Sequence, residues 1–343
     1  MGDNSRFSPF PQPYRLGLVM IYSRRIVSVL LQMPSVVQVK ELSKHFGPIR
    51  AVDNLSFSVD KGEIYGFLGQ NGAGKSTTIR MLLTLVKPSG GQIELLGMDL
   101  HKHRRKILSE VGAVIERPDT YNYLSGFENI SLFAKISGMR LNRKQLMDKL
   151  ASVGLEDREY DIVKTYSQGM KQRLAIAIAM VHDPHLIILD EPTNGLDPQG
   201  IAEIRKLIIS LGREQGKTVL ISSHLLSEIE LVADRILILD KGKKIREGHV
   251  RDLLDPAKMV LNLKTQNPEL TMNIIRESHW LANLQKQIDH QFIFELKRDQ
   301  IPLLVSDLVK QGVGILEIQP RYSLEDYFLS LTTPGRDVDP FEN

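Results

Sequence analysis

One string constrains this chain more than any other: Gly69-Gln70-Asn71-Gly72-Ala73-Gly74-Lys75-Ser76-Thr77. It follows the short apolar run IYGFLG and opens STTIRMLLTLV, which reads as a helix stopped by Lys87-Pro88-Ser89-Gly90-Gly91. The pattern is G-x-x-x-x-G-K-[ST] between a strand and a helix. Its glycines let backbone amides turn inward as an anion nest, and the helix start adds unpaired N–H groups. Lys75 is then placed to reach the β- and γ-phosphates of a nucleotide. Ser76 is placed to hold Mg²⁺ through its hydroxyl, and Thr77 to contact the α-phosphate.

The surrounding pattern is that of an α/β domain. VVQVKEL and NLSFSVD alternate on a two-residue period, with turn signals at Phe46-Gly47-Pro48 and Asp60-Lys61-Gly62. GQIELLG and VGAVIE read as further strands. From about 118 to 170 the pattern is mainly helical, with apolar spacings of three and four in ENISLFAKIS and NRKQLMDKLASVG. LIILD is apolar up to its last residue, as expected of a parallel strand covered on both faces. TVLISSH follows, and Lys241-Gly242 predicts a hairpin in RILILDKGKKIREG. Asp190 ends LIILD, where a carboxylate can polarise a metal-bound water; Glu191 beside it can act as general base toward an attacking water.

Past about Asp255 the pattern becomes that of a smaller unit. MVLNLKT, QFIFELKR and GILEIQ read as strands, and IPLLVSDLVKQG as a helix closed by glycine. Ser323 with Asp326 predicts a capping box for the helix SLEDYFLSLT. The expected division is a poorly patterned extension over 1–34, a nucleotide-binding domain over 35–250, a small accessory α+β domain over 251–332 and a loose tail over 333–343. The early residues read as a peripheral arm, a mitochondrial-like targeting segment or upstream sequence, and Met33 directly preceding the first well-patterned strand favours the last.

Composition excludes several function classes. The chain has no cysteine, so disulfides, thiolate metal sites and cysteine nucleophiles are ruled out. The 44 basic and 41 acidic residues leave +3, a surplus too small to point to nucleic acid. The longest apolar stretch, Leu16 to Leu31, is broken by Arg24 and Arg25, whereas a membrane span needs about 20 largely apolar residues. A role in transport would therefore require another chain to supply the path.

Together these strings resemble the nucleotide-binding subunit of the ATP-binding-cassette transporters, over roughly 36–248. Tyr166-Ser167-Gln168-Gly169-Met170 stands at the family's signature LSGGQ, matching at Ser167 and Gly169. The resemblance implies a P-loop ATPase core with a β subdomain and a helical subdomain. It implies two copies sandwiching two ATP molecules, each giving its Lys75 loop to one nucleotide and its Ser167 turn to the other. It aligns His224 with the switch histidine, Asp197 with the D-loop aspartate and Phe46 with the adenine-stacking aromatic.

Glu116 stands where the family usually has a glutamine touching Mg²⁺. A carboxylate there keeps an oxygen ligand but adds a charge near Asp190 and Glu191. Two such charges about 4 Å apart repel by roughly 4 kcal/mol at an effective dielectric near 20, so Mg²⁺ or a proton is expected to offset them. Tyr121, Tyr123 and Glu128 resemble the surface that receives a membrane subunit, and the terminal module resembles the extension of ABC-2 exporters. The implied function is ATP hydrolysis driving export through polytopic permease subunits, at the cytoplasmic side of the membrane. The alternatives are a soluble mechanical ATPase of translation or DNA repair, which the single compact cassette disfavours, and an importer subunit.

Overall fold

The computed structural model describes residues 35–116, 120–253 and 259–321. Strands β1 (Ser35–Phe46) and β2 (Ile49–Asp60) form an antiparallel hairpin. β3 (Ile64–Leu68) leads through the glycine string into α1 (Lys75–Leu82). β4 (Gly90–Leu95) and β5 (Met98–Asp99) complete a four-stranded sheet ordered β2-β1-β4-β5. Next come α2 (Leu100–Leu108) and β6 (Val111–Val114), then the helical stretch α3 (Gly126–Ile136), α4 (Arg143–Ala151) and α5 (Gln168–Ala179). β7 (Leu186–Asp190), α6 (Pro198–Ile209), β8 (Thr218–Ser223), α7 (Leu226–Glu230), β9 (Arg235–Asp240), β10 (Lys243–His249) and α8 (Val250–Leu253) follow.

The second sheet is ordered β10-β9-β3-β8-β7-β6. Its strands are parallel except for β10, which turns back on β9 at the Lys241-Gly242 hairpin. Because side chains alternate along a strand, each strand feeds two cores. Ile64 and Leu68 join Ile187, Leu189, Ile221 and Ile238 in a core shared with the helical stretch. Tyr65 and Phe67 face the other way, with Leu186, Ile188, Leu220 and Leu237, onto the first sheet. Full burial of such side chains contributes about 1.5–3 kcal/mol each, which explains why LIILD carries no polar residue before its last. Asp190 is the exception, and it sits at the strand end where the site lies.

Several elements differ from the sequence expectation. α1 stops at Leu82 rather than running to Val86, because Thr84 adopts φ +58° and the amides of Leu85 and Val86 fold back onto the Arg80 carbonyl. α2 escaped the periodicity reading because six successive residues, His101 to Lys106, are basic or histidine. Its apolar anchors are the buried Leu100 and Ile107 with the partly buried Leu108, and Asp99 caps it by accepting from the Lys102 amide at 2.9 Å. The expected helix after Ser323, the segment 1–34 and the tail from 333 lie outside the described residues.

The C-terminal residues form β11 (Met259–Thr265), α9 (Pro268–Arg276), β12 (Leu284–Ile288), β13 (Gln291–Leu296), α10 (Ile301–Lys310) and β14 (Ile315–Arg321). The order β12-β13-β11-β14, antiparallel throughout, is a split βαββαβ unit. Its core of Leu261, Leu263, Trp280, Phe292, Phe294, Leu304 and Leu308 is its own. α9 and β12 were not anticipated from the sequence, although Asn267 followed by Pro268 is a readable helix start and the Asn267 side chain caps Leu270 at 3.0 Å.

Candidate nucleotide site

The loop between β3 and α1 takes its shape from two glycines in the left-handed region. Gly72 has φ +84° and Gly74 φ +104°, and a Cβ on Gly74 would lie 2.6 Å from the Ala51 carbonyl oxygen. Only glycine satisfies both demands at position 74. The loop delivers Lys75, Ser76 and Thr77 to the first turn of α1. Lys75 is buried, and its ammonium donates to the Gly69 carbonyl at 2.6 Å and the Gln70 carbonyl at 3.3 Å.

Neighbouring strand ends complete the site. At the end of β7, Asp190 Oδ1 accepts from Ser76 Oγ at 3.2 Å and from Ser222 Oγ at 2.5 Å. The same Ser222 hydroxyl accepts from the Glu191 amide at 2.9 Å. Glu191 has φ +50°, which turns its side chain out of the strand line. One carboxylate oxygen lies 3.1 Å from Lys75 Nζ; the other lies 2.8 Å from His224 Nδ1 and accepts from the His224 amide at 3.3 Å. β3, β7 and β8 are adjacent and parallel, so their carboxyl ends meet here. A cation, a carboxylate and an imidazole thus converge beside a phosphate-shaped loop.

Asp190 Oδ2 is buried without a hydrogen-bond partner. An orphaned carboxylate oxygen beside the Ser76 hydroxyl fits a hard divalent cation. Among the described residues no three His, Asp or Glu side chains gather into a cage. Mg²⁺ suits such a setting, because it takes one or two protein oxygens and completes its octahedron with phosphate and water.

The other sequence candidates are placed elsewhere. Glu116, at φ +57°, directs its carboxylate to Arg80 on α1. An arginine one turn beyond Ser76 thus pairs with the carboxylate that the sequence reading set beside Mg²⁺. Ser167 caps α5 by accepting from the Met170 amide at 3.2 Å, and Asp197 caps α6 by accepting from the Gly200 amide at 2.8 Å. The two helix starts are neighbours, since a Cβ on Gly169 would lie 3.7 Å from Gly200 Cα. Tyr166, the departure from the signature string, is buried and donates to the Arg158 carbonyl at 2.5 Å. Burial pushes its phenol up to about 12.

Phe46 ends β1 half exposed, with the Lys44 ammonium 4.7 Å from its ring centre. Tyr121 and Tyr123 pack edge to face at 5.8 Å and stay exposed. Glu128 is committed locally: it closes a capping box, accepting from the Ser125 amide at 2.7 Å and hydroxyl at 2.8 Å. Sequence reasoning missed Ser222 and Arg80. The first was legible as a polar residue ending an apolar strand beside LIILD; the second carried no local signal.

A glycine loop on a helix start, closed by acids from a parallel strand one place removed in the sheet, defines a P-loop nucleotide-hydrolysing cassette. A family model described as "ABC transporter" matches residues 52–194. The chain is 40% identical over 302 residues to the uncharacterized ABC transporter ATP-binding protein YhcH of Bacillus subtilis, covering 88% of this chain and 97% of that protein. It is also 40% identical over 315 residues to the bacitracin transport ATP-binding protein BcrA of Bacillus licheniformis, covering 88% and 99%. Among solved structures it resembles the dimeric ATP-binding cassette MJ0796 bound to ADP and Pi, at 26% identity and TM-score 0.57, over 63% of this chain and 99% of that one. The chain belongs to the ABC transporter family of ATP-binding proteins. It is an ATPase of that family, the subunit that powers transport.

Proposed function

We propose that two copies of this chain close around two ATP molecules and drive export through separate polytopic membrane subunits, from the cytoplasmic side of the membrane. The observation that carries the reading is the Glu191 carboxylate, held between Lys75 at 3.1 Å and His224 at 2.8 Å beside the glycine loop. In it Glu191 takes the proton of the attacking water, and His224 orients that carboxylate and contacts the γ-phosphate. Lys75 and the amides of residues 69–77 stabilise the charge on the transferring phosphoryl group. Ser76 and Asp190 would hold Mg²⁺, which supplies neutralisation of the phosphate oxygens. Glu116, paired with Arg80 here, would add a further oxygen on releasing that arginine.

The second copy contributes the capped helix start at Ser167 and Gly169 to the γ-phosphate, with Asp197 linking the two sites. A helix N-terminus with a hydroxyl favours an anion, and an isologous pair satisfies both nucleotides by the same contacts. Phe46 supplies a face for adenine. Among the described residues no helix is long and apolar enough to cross a membrane, which suits a peripheral subunit. Likeness to a bacitracin transport protein along nearly its whole length favours export. No nucleic-acid partner is expected from a net charge of +3.

Glu191→Gln is the test. It should keep Mg-ATP binding, lower turnover on the order of 10³-fold, and accumulate a nucleotide-bound dimer measurable by light scattering. Hydrolysis at the native rate would overturn the reading.

A further inference from the structure

The least explained acid of the cassette is Glu228. It sits in the short helix α7, 8% exposed, and its carboxylate meets no cation among the described residues. Burying a carboxylate without a counter-charge is costly unless hydrogen bonds replace its water. Both donors that do so here are hydroxyls. One is Thr193, whose Oγ1 donates to Glu228 Oε2; the other is Ser223, 3.4 Å from the same oxygen.

The positions of those hydroxyls are informative. Thr193 lies two residues beyond Glu191, and Ser223 lies immediately before His224. Thr193 is itself buried and opens the turn in which the Leu196 amide donates to the Thr193 carbonyl at 3.2 Å. Ser223 also fixes the start of the next turn by accepting from the Leu225 amide at 2.9 Å. One carboxylate therefore ties the segment carrying Glu191 to the segment carrying His224. Ser222 also ties the same two strands through Asp190 and the Glu191 amide. Two polar links thus join the segments that meet in the Glu191–His224 contact.

We propose that Glu228 is a positioning residue for ATP hydrolysis, holding the Glu191–His224 pair in register by bonding the threonine that follows the one and the serine that precedes the other. The inference rests on the catalytic reading of Glu191. A loss of this brace lets the two strand ends shift independently. The cost then falls on the chemical step, because Lys75 keeps its bonds to the Gly69 and Gln70 carbonyls and Ser76 its bond to Asp190, none of which passes through Glu228.

The test uses the full-length chain with Mg-ATP and measures turnover, nucleotide affinity and thermal unfolding in parallel. Thr193→Val removes the donor while keeping side-chain volume, and Glu228→Ala removes the acceptor. Each should lower kcat about tenfold or more with the ATP dissociation constant within about twofold, the pattern of an interaction that acts on the transition state. Thr193→Ser should restore the rate. Because Glu228→Ala already cuts the link that Thr193→Val cuts, along with that to Ser223, the double variant should be no slower than the worse single one.

Unchanged kcat in Thr193→Val, or losses that multiply in the double variant, would overturn the proposal. So would a fall in affinity that tracks a fall in unfolding temperature. If Glu191→Gln keeps native turnover, the catalytic reading fails first. If Glu191→Gln is inactive while Glu228→Ala and Thr193→Val are native, the brace alone fails.

Discussion

The two ends of the six-stranded sheet both bury charge, and they treat it in opposite ways. At the amino end, Arg235 pairs with Glu247 at 2.8 Å and Glu63 at 3.4 Å, and lies 5.4 Å from the Tyr65 ring centre. The Tyr65 hydroxyl donates to Glu247 at 2.8 Å, and the Glu63 carboxylate accepts from the Asp60 amide at 2.8 Å. At the carboxyl end, Asp190 Oδ2 has no partner and Glu191 sits at φ +50°. A closed network has nothing left to offer a ligand. An open, strained one is built to be completed by something else, which is why the second end is the reactive one.

Four measurements would break or sharpen this contrast. The largest effect belongs to Arg235→Met, which leaves the buried Glu63 carboxylate without a cation and the half-buried Glu247 to Lys244 and the Tyr65 hydroxyl, and should cost about 3–5 kcal/mol of stability. Chemical denaturation reads it, while the ATP affinity of the folded fraction should stay native. Asp190→Asn should do the reverse. Hydrolysis should fall on the order of 10²-fold and its Mg²⁺ requirement should rise, while the unfolding temperature stays level, since the change removes an unsatisfied buried charge. Equal destabilisation of the two variants would dissolve the distinction between the ends.

Phe46→Ala comes next. Loss of a stacking face of about 1–2 kcal/mol should weaken ATP binding roughly tenfold by titration, without altering stability, because the ring is half exposed.

The smallest effect concerns Glu63. Burial raises its pKa above the ordinary glutamate range, and the opposing pull of the Asp60 amide and Arg235 does not cancel that rise. A raised folded-state value means the native protein binds the proton more tightly than the unfolded chain. The resulting stability is full below the unfolded pKa and is lost as pH climbs through the folded one. Between those two values the stability of the parent should fall relative to Glu63→Gln as pH rises. A flat difference between the two curves would show that Glu63 titrates normally.

Legibility in the sequence followed the same division. The glycine loop, Asp190, Glu191 and the parallel strands were readable because each is a local pattern: a spaced string, or an apolar run ending in an acid. Ser167 and Asp197 came only through the family resemblance, and the helix that Asp197 caps was not anticipated. Arg80 as the partner of Glu116, Ser222 under Asp190, and Thr193 with Glu228 were not readable, because each joins segments dozens of residues apart. α2 was lost because basic residues fill the positions where apolar ones would mark a period. The C-terminal unit showed three of its four strands, but β12, LQKQI, carries polar residues at its centre and gave no alternation to follow.

The carbonyl of Ala51 has a consequence for how the cassette can come apart. Gly74 and Gly242 both approach it, and a Cβ on either would come within 2.6 and 2.8 Å of its oxygen. The first hairpin, the phosphate loop and the β9–β10 turn are thereby moulded on one peptide group. The antiparallel sheet is a jig for the nucleotide loop, so loosening the hairpin should slacken the grip on phosphate even when every residue of the loop is intact.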